Sequence, residues 1–184
     1  MNNINNRTHM ELKIFKVRDV RSPERGTGEA AGIDFFVPEF NEAFVKDLLE
    51  KNKDLPLLVP SMLQNNDLYM TILPNGRVLI PSGIKTWMTP GTALIAANKS
   101  GVASKKGLIF GAQVVDSDYA GEVHISVINT SNVPVTIKTG EKLIQFIHTP
   151  VLLTKPEEVD EYTFNSLHDK SARGEGGFGS TGVE

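Results

Sequence analysis

There is no cysteine among the 184 residues, which excludes disulfides, cysteine-bearing metal fingers and a thiol nucleophile. No apolar run approaches the roughly 20 residues that a membrane helix requires. The polar opening, MNNINNRTHM, lacks the apolar stretch of a secretory signal. An excess of positive charge is missing too. The formal net charge is −3, the wrong sign for a dedicated duplex-DNA binder. These absences predict a soluble, cytoplasmic chain with no membrane and no nucleic-acid partner. Apolar residues make up 40% and charged residues 22%, the balance of a packed domain rather than a disordered one. The length suits one hydrophobic core with mobile ends.

Short strands punctuated by Gly, Pro, Asn and Asp dominate the chain. Val123, Ile125 and Val127 alternate with Glu122, His124 and Ser126, the period of a half-buried strand. Val135 and Ile137 repeat the alternation before a turn at Thr139-Gly140. Leu143 to Ile147 reads as a strand buried on both faces, interrupted by Gln145. Further strands are expected at Leu12–Val17, Val78–Ile80 and Thr92–Ala96. This pattern predicts an all-β antiparallel barrel or sandwich.

One segment departs from the rhythm. Phe44, Val45, Leu48 and Leu49 fall at helical spacing behind a cap candidate, Asn41, with Glu42 in the first turn and Phe40 placed to staple onto Val45. Leu55 to Leu68 reads as irregular loop. The stretch from about 40 to 70 is therefore expected to be an insertion on a single β domain spanning residues 1–170. Residues 171–184 are glycine-rich and are expected to form a mobile arm.

Four constellations carry possible chemistry. The arm fits the G-x-G-x-x-G pattern at Gly174, Gly176 and Gly179, but not the strand and helix context a dinucleotide site needs. Its glycines let backbone N–H groups approach an anion. Arg173 offers a fork for phosphate, Ser180 and Thr181 offer hydroxyls, and Phe178 offers a face for a base. Asn98-Lys99-Ser100-Gly101 reads as a turn able to take phosphate, although it is not a P-loop and, taken alone, such a stretch is more often an exposed loop than a ligand site. Gly111 to Glu122 places Asp116 and Asp118 at a strand end or hairpin beside Tyr119. There Asp116 is either an ordinary turn aspartate or a base for water. Finally, Asp34 opens an apolar strand, and Gln145 interrupts a buried one.

In this order, the segments resemble the five motifs of the homotrimeric dUTPase family: AGIDF from Ala31, NKSG from Asn98, GAQVVDSDYAGE from Gly111, GEKLIQFI from Gly140 and RGEGGFGSTG from Arg173. The resemblance implies a jelly-roll-like subunit in a homotrimer with shared sites, a C-terminal arm that closes over substrate, and a cytoplasmic enzyme (the host's cytoplasm for a viral one). It implies hydrolysis of dUTP to dUMP and pyrophosphate, which keeps uracil out of DNA and supplies dUMP for thymidylate synthesis. Asp116 would activate the water, and Tyr119 would pack under the deoxyribose. Lys99, Ser100, Gly101 and Gln145 would serve the phosphates, with Gln113 on the wall near the base. Arg173, Gly179, Ser180 and Thr181 would clamp the γ-phosphate while Phe178 stacks on uracil. Mg²⁺ would ride mainly on the triphosphate, with Asp34 touching its water shell. Lys99 and Lys142 stand where the family usually has Arg, and Gln113 where it usually has Gly. The alternatives are a dCTP deaminase-like member and a non-catalytic nucleotide sensor of the same fold.

Overall fold

The computed structural model describes residues 10–54, 61–62, 68–168, 171 and 174. The chain divides into two units, residues 1–152 and 153–184. In chain order, the first unit contains β1 (Leu12–Lys16), β2 (Glu24–Arg25), β3 (Ile33–Phe36), α1 (Glu42–Lys51), β4 (Ser61–Met62), β5 (Leu68–Ile72), β6 (Arg77–Met88) and β7 (Thr92–Asn98). It continues with α2 (Ser100–Lys106), β8 (Leu108–Phe110), β9 (Val114–Asp116), β10 (Glu122–Asn129), β11 (Val135–Lys138) and β12 (Lys142–Pro150). The second unit holds α3 (Glu161–His168), whose first turn is fixed by Thr163 N donating to Asp160 Oδ1 at 2.7 Å.

Every strand pairing is antiparallel. Three sheets result, in the orders β1-β6-β10-β8, β2-β3-β12-β7-β9 and β11-β5-β4. The architecture is the expected all-β, jelly-roll-like subunit with short helices. β10 buries Val123, Ile125 and Val127 in strict alternation. β12 buries the adjacent Leu143 and Ile144 as well as Phe146, leaving Gln145 half-exposed. These side chains meet Phe35, Phe36, Ile80, Leu94 and Leu108 in one core.

Helix α1 forms where the apolar spacing places it. Asn41 Oδ1 accepts from Phe44 N at 2.9 Å, satisfying a donor that the first turn leaves orphaned. Phe44 and Leu48, one turn apart, are buried, while Leu49 faces outward. Phe40 meets Phe44 edge-on at 5.1 Å between ring centres, and Val45 packs, partly buried, against the core to which both rings belong. Burial of side chains this large stabilises by roughly 1.5–3 kcal/mol each, enough to make the helix part of the core. Buried Asn52, just past the helix, completes the docking. Its amide donates to Leu79 O at 2.9 Å, and its Oδ1 accepts from Leu79 N at 2.8 Å. β1 pairs with β6 only from Ile84 to Met88, so Asn52 supplies partners that Leu79 lacks on that edge.

Two elements differ from expectation. β6 runs through Pro81-Ser82-Gly83, which looks like a turn in sequence, and so extends well past the three residues anticipated. A bulge between Glu122 and His124 of β10 absorbs the irregularity, and Gly83 N donates to Glu122 Oε1 at 2.7 Å. The segment after Asn98 is a short helix, not a turn: Ser100 to Lys106 coil with Lys99 at the N-cap and Gly107 at the C-cap.

Candidate active site

The candidate residues of the first unit gather in two places. One is the middle of the five-stranded sheet, where β12 lies between β3 and β7. There Gln145 sits opposite Asp34 on one side and Ala97 on the other. Asp34 is only 4% exposed, and a carboxylate that deep is costly unless paired. Lys99 Nζ bonds its Oδ1, and Lys142 Nζ approaches its Oδ2 at 3.4 Å. Lys142 also lies 3.6 Å from Glu24 on β2. Gln145 donates to Asn98 O at 3.2 Å, turning its side chain along the end of β7. At Gly32, the second residue of the first motif, no side chain fits. A Cβ there would collide with the Gln145 side chain. Ser100 and Gly101 follow Lys99, exposed, at the start of α2.

The other place is the turn between β9 and β10. Asp116 ends β9 exposed to solvent, and its carbonyl accepts from Tyr119 N at 3.1 Å. The turn folds Tyr119 back, so that its hydroxyl donates to Glu122 O at 3.0 Å. The ring then lies over Gly121, where any Cβ would strike the phenol. Val114, Val115, Asp116, Tyr119, Val123 and His124 line a pocket of about 180 Å³. That is below the roughly 300–1,000 Å³ of a complete small-molecule site. Gln113 lies exposed just before β9, outside this lining, with its carbonyl accepting from Ala96 N at 2.7 Å.

Sequence reasoning had given His124 no role beyond the strand alternation. Its Nδ1 lies 2.8 Å from Glu122 O, which can only accept, so Nδ1 carries a proton. Nε2 is buried without a partner among the described residues. Nothing short of the pocket itself marks this histidine, since alternation along β10 gives it the same status as Ser126. His148 on β12 is the other histidine of note. Burial, and then the charge of Arg25, hold its pKa below the ordinary value.

One chain does not bring the two places together. Asp116 pairs with Ala93 near the start of β7, whereas Lys99 follows Asn98 at its end. From Ala93 to Lys99 is six steps of extended chain, about 20 Å at ~3.4 Å per residue. Arg173, Phe178, Gly179, Ser180 and Thr181 lie outside the described residues. Among the described residues no group of three or more His, Asp or Glu side chains is placed to hold a metal ion. None of their helices is long and apolar enough to cross a membrane.

Comparison with known proteins adds relatives. The family model described as dUTPase matches residues 64–182, well over half of the chain. A deoxyuridine 5'-triphosphate nucleotidohydrolase from Shewanella sp. (strain MR-7) is 39% identical over 121 residues, covering 64% of this chain and 76% of the relative. The Staphylococcus bacteriophage 80alpha dUTPase with dUPNHPP superposes with a TM-score of 0.70 at 20% identity, covering 94% of this chain and 99% of that one. A mutant dUTPase from phage phi11 of S. aureus, which coordinates a structural Mg(II) ion, gives a TM-score of 0.62 at 18% identity, covering 82% and 97%. At such identities the two phage structures speak to the fold.

Proposed function

The chain belongs to the dUTPase family, and on that premise we propose that it hydrolyses dUTP to dUMP and pyrophosphate in sites assembled from more than one copy. The observation that carries the shared site is the gap of about 20 Å along β7 between the partner of Asp116 and Lys99, at ~3.4 Å per residue. A base, a sugar and a triphosphate on one chain's residues would have to bridge that sheet. In a symmetric homotrimer, the pocket of one copy faces the cationic cluster of the next, and both ends of the nucleotide are served.

Within such a site the division of labour follows from chemistry. Lys99 and Lys142 present ammonium groups converging on Asp34, and they, with Gln145, Ser100 and Gly101, hold phosphate oxygens. Tyr119 takes the sugar face, and Gln113 stands beside the base end. Asp116 accepts a proton from the water as its oxygen attacks the α-phosphorus and the bond to the bridging oxygen of pyrophosphate breaks. A positioned carboxylate contributes about 10²–10⁴-fold in such a role. Arg173, Gly179, Ser180 and Thr181 close over the γ-phosphate and Phe178 stacks on uracil, the arm excluding other water.

Mg²⁺ would be carried mainly by the triphosphate. When bound, it neutralises charge on the departing pyrophosphate. Asp34, engaged by two lysines, would help to hold the ion's hydration shell. The enzyme acts in the cytoplasm, removing dUTP before it enters DNA and providing dUMP.

Pyrophosphate release from dUTP, dCTP, dTTP and UTP with Mg²⁺ tests the reading. Turnover confined to dUTP is expected. Binding of dUTP without pyrophosphate, or ammonia from dCTP, would contradict it.

A further inference from the structure

Glu122 stands between two groups that sequence does not connect. Its carboxylate accepts from Arg18 Nε at 2.7 Å, Arg18 Nη2 at 2.9 Å and Gly83 N at 2.7 Å. Its carbonyl accepts from the Tyr119 hydroxyl at 3.0 Å and bonds His124 Nδ1 at 2.8 Å. The bulge after Glu122 interrupts the ladder with β6, which leaves that carbonyl free for side chains. Both rings it holds line the pocket beside Asp116. Arg18 Nη2 also bonds Asp47 on α1. The guanidinium, 18% exposed, therefore joins the bend after β1, the helix that sequence marks as an insertion, and the hairpin that carries Tyr119.

We propose that Arg18 and Glu122 are positioning residues for the Tyr119 pocket, and that Asp47 makes the inserted helix part of the same support. The proposal rests on the reading that this pocket takes the sugar and base of dUTP. Three donors fix the Glu122 carboxylate, so the Glu122 peptide cannot rotate, and its carbonyl pins the phenol over Gly121. Loss of the guanidinium leaves a carboxylate that is mostly buried without its fork. The peptide relaxes at the bulge, and the phenol loses its anchor. The fork geometry matters because Arg engages both carboxylate oxygens while also reaching Asp47.

Steady-state kinetics of the full chain with Mg²⁺ test this, comparing wild type, Arg18→Gln, Arg18→Lys, Tyr119→Phe and the Arg18→Gln/Tyr119→Phe double variant. Arg18→Gln is expected to raise KM for dUTP about 10-fold with kcat changed less, since misplacement acts before chemistry. The preference for dUTP over UTP should fall by a similar factor, a readout that general destabilisation does not move. Arg18→Lys should recover part of the loss. Tyr119→Phe, which keeps the ring, should show the same KM and preference defects, and the double variant should be no worse than the poorer single one.

Wild-type KM and preference in folded Arg18→Gln, or strictly additive losses in the double variant, would overturn the proposal. If Arg18→Gln does not fold, Tyr119→Phe decides alone, and wild-type behaviour there overturns it. A wild-type chain that releases no pyrophosphate from dUTP instead refutes the reading on which the proposal rests, and the wild-type arm identifies that case by itself.

Discussion

The two halves of the candidate site are built on opposite principles. Around Asp34 the sheet buries a carboxylate and saturates it with Lys99 and Lys142, so charge is held in a fixed, internally balanced array. Around Asp116 the carboxylate is exposed, the walls are apolar Val114, Val115 and Val123, and the polar groups are tied to backbone rather than to each other. The first half suits an anion that displaces existing ion pairs. The second suits a flat, weakly polar body, with a carboxylate left free to meet water. Two regions so different, and so far apart on one chain, are what the proposed site shared between copies would bring together.

Substitutions that strike one half at a time should separate binding from chemistry. Asp116→Asn should give the largest effect, a fall in kcat of about 10²–10⁴-fold with dUTP affinity in calorimetry nearly unchanged. Lys99→Gln with Lys142→Gln should act on the other half. KM should rise about 10–100-fold, as expected when two charge-assisted phosphate contacts are lost, with a smaller change in kcat. Equal loss of kcat in both variants would erase the distinction between the halves.

A smaller effect is expected from the strand between them. His148 sits on β12 opposite Leu94, bonded to Thr92 Oγ1 at 2.8 Å. Its pKa is depressed in the folded chain, by burial and then by Arg25. The unfolded chain therefore binds more protons, and stability increases with pH across the titration. The contribution of neutral His148 is present above the ordinary pKa of about 6.5 and is lost as pH falls through the folded value. Urea titrations between pH 7.5 and about 5 should show a shallower loss of stability in His148→Gln than in wild type. An identical slope would contradict the assignment.

Much of the fold is legible in the sequence where one local rule governs. The alternation of β10 and the double-faced run of β12 announce themselves, and Asn41 with Phe44 and Leu48 announces α1. Legibility fails where a distant partner decides. Pro81-Ser82-Gly83 carries turn signals, yet the bulge in β10 and the Glu122 carboxylate hold it in a strand. Lys-Ser-Gly reads as a loop, yet the residues from Ser100 coil into α2.

The site follows the same division. Motif order points to Asp116, Tyr119, Lys99 and Gln145, but only sheet order brings Asp34 to Lys99 across 65 positions of sequence. Gly32 and Gly121 look like interchangeable turn glycines until Gln145 and Tyr119 are seen against them. His124 and Arg18 have no motif at all, since their roles come from which carbonyl or carboxylate they face.

The shared site can be tested by mixing. Asp116→Asn chains and Lys99→Gln/Lys142→Gln chains can be co-expressed with different tags, the mixed assemblies isolated and assayed at dUTP well below the KM of the lysine variant, where both parents turn over poorly. If pocket and cluster come from different copies, each mixed trimer contains one site with both halves intact, and about a third of wild-type turnover should return in the isolated mixed assemblies. If the mixed assemblies show no more pyrophosphate release than the two parent variants, each site lies within one chain and the account is wrong.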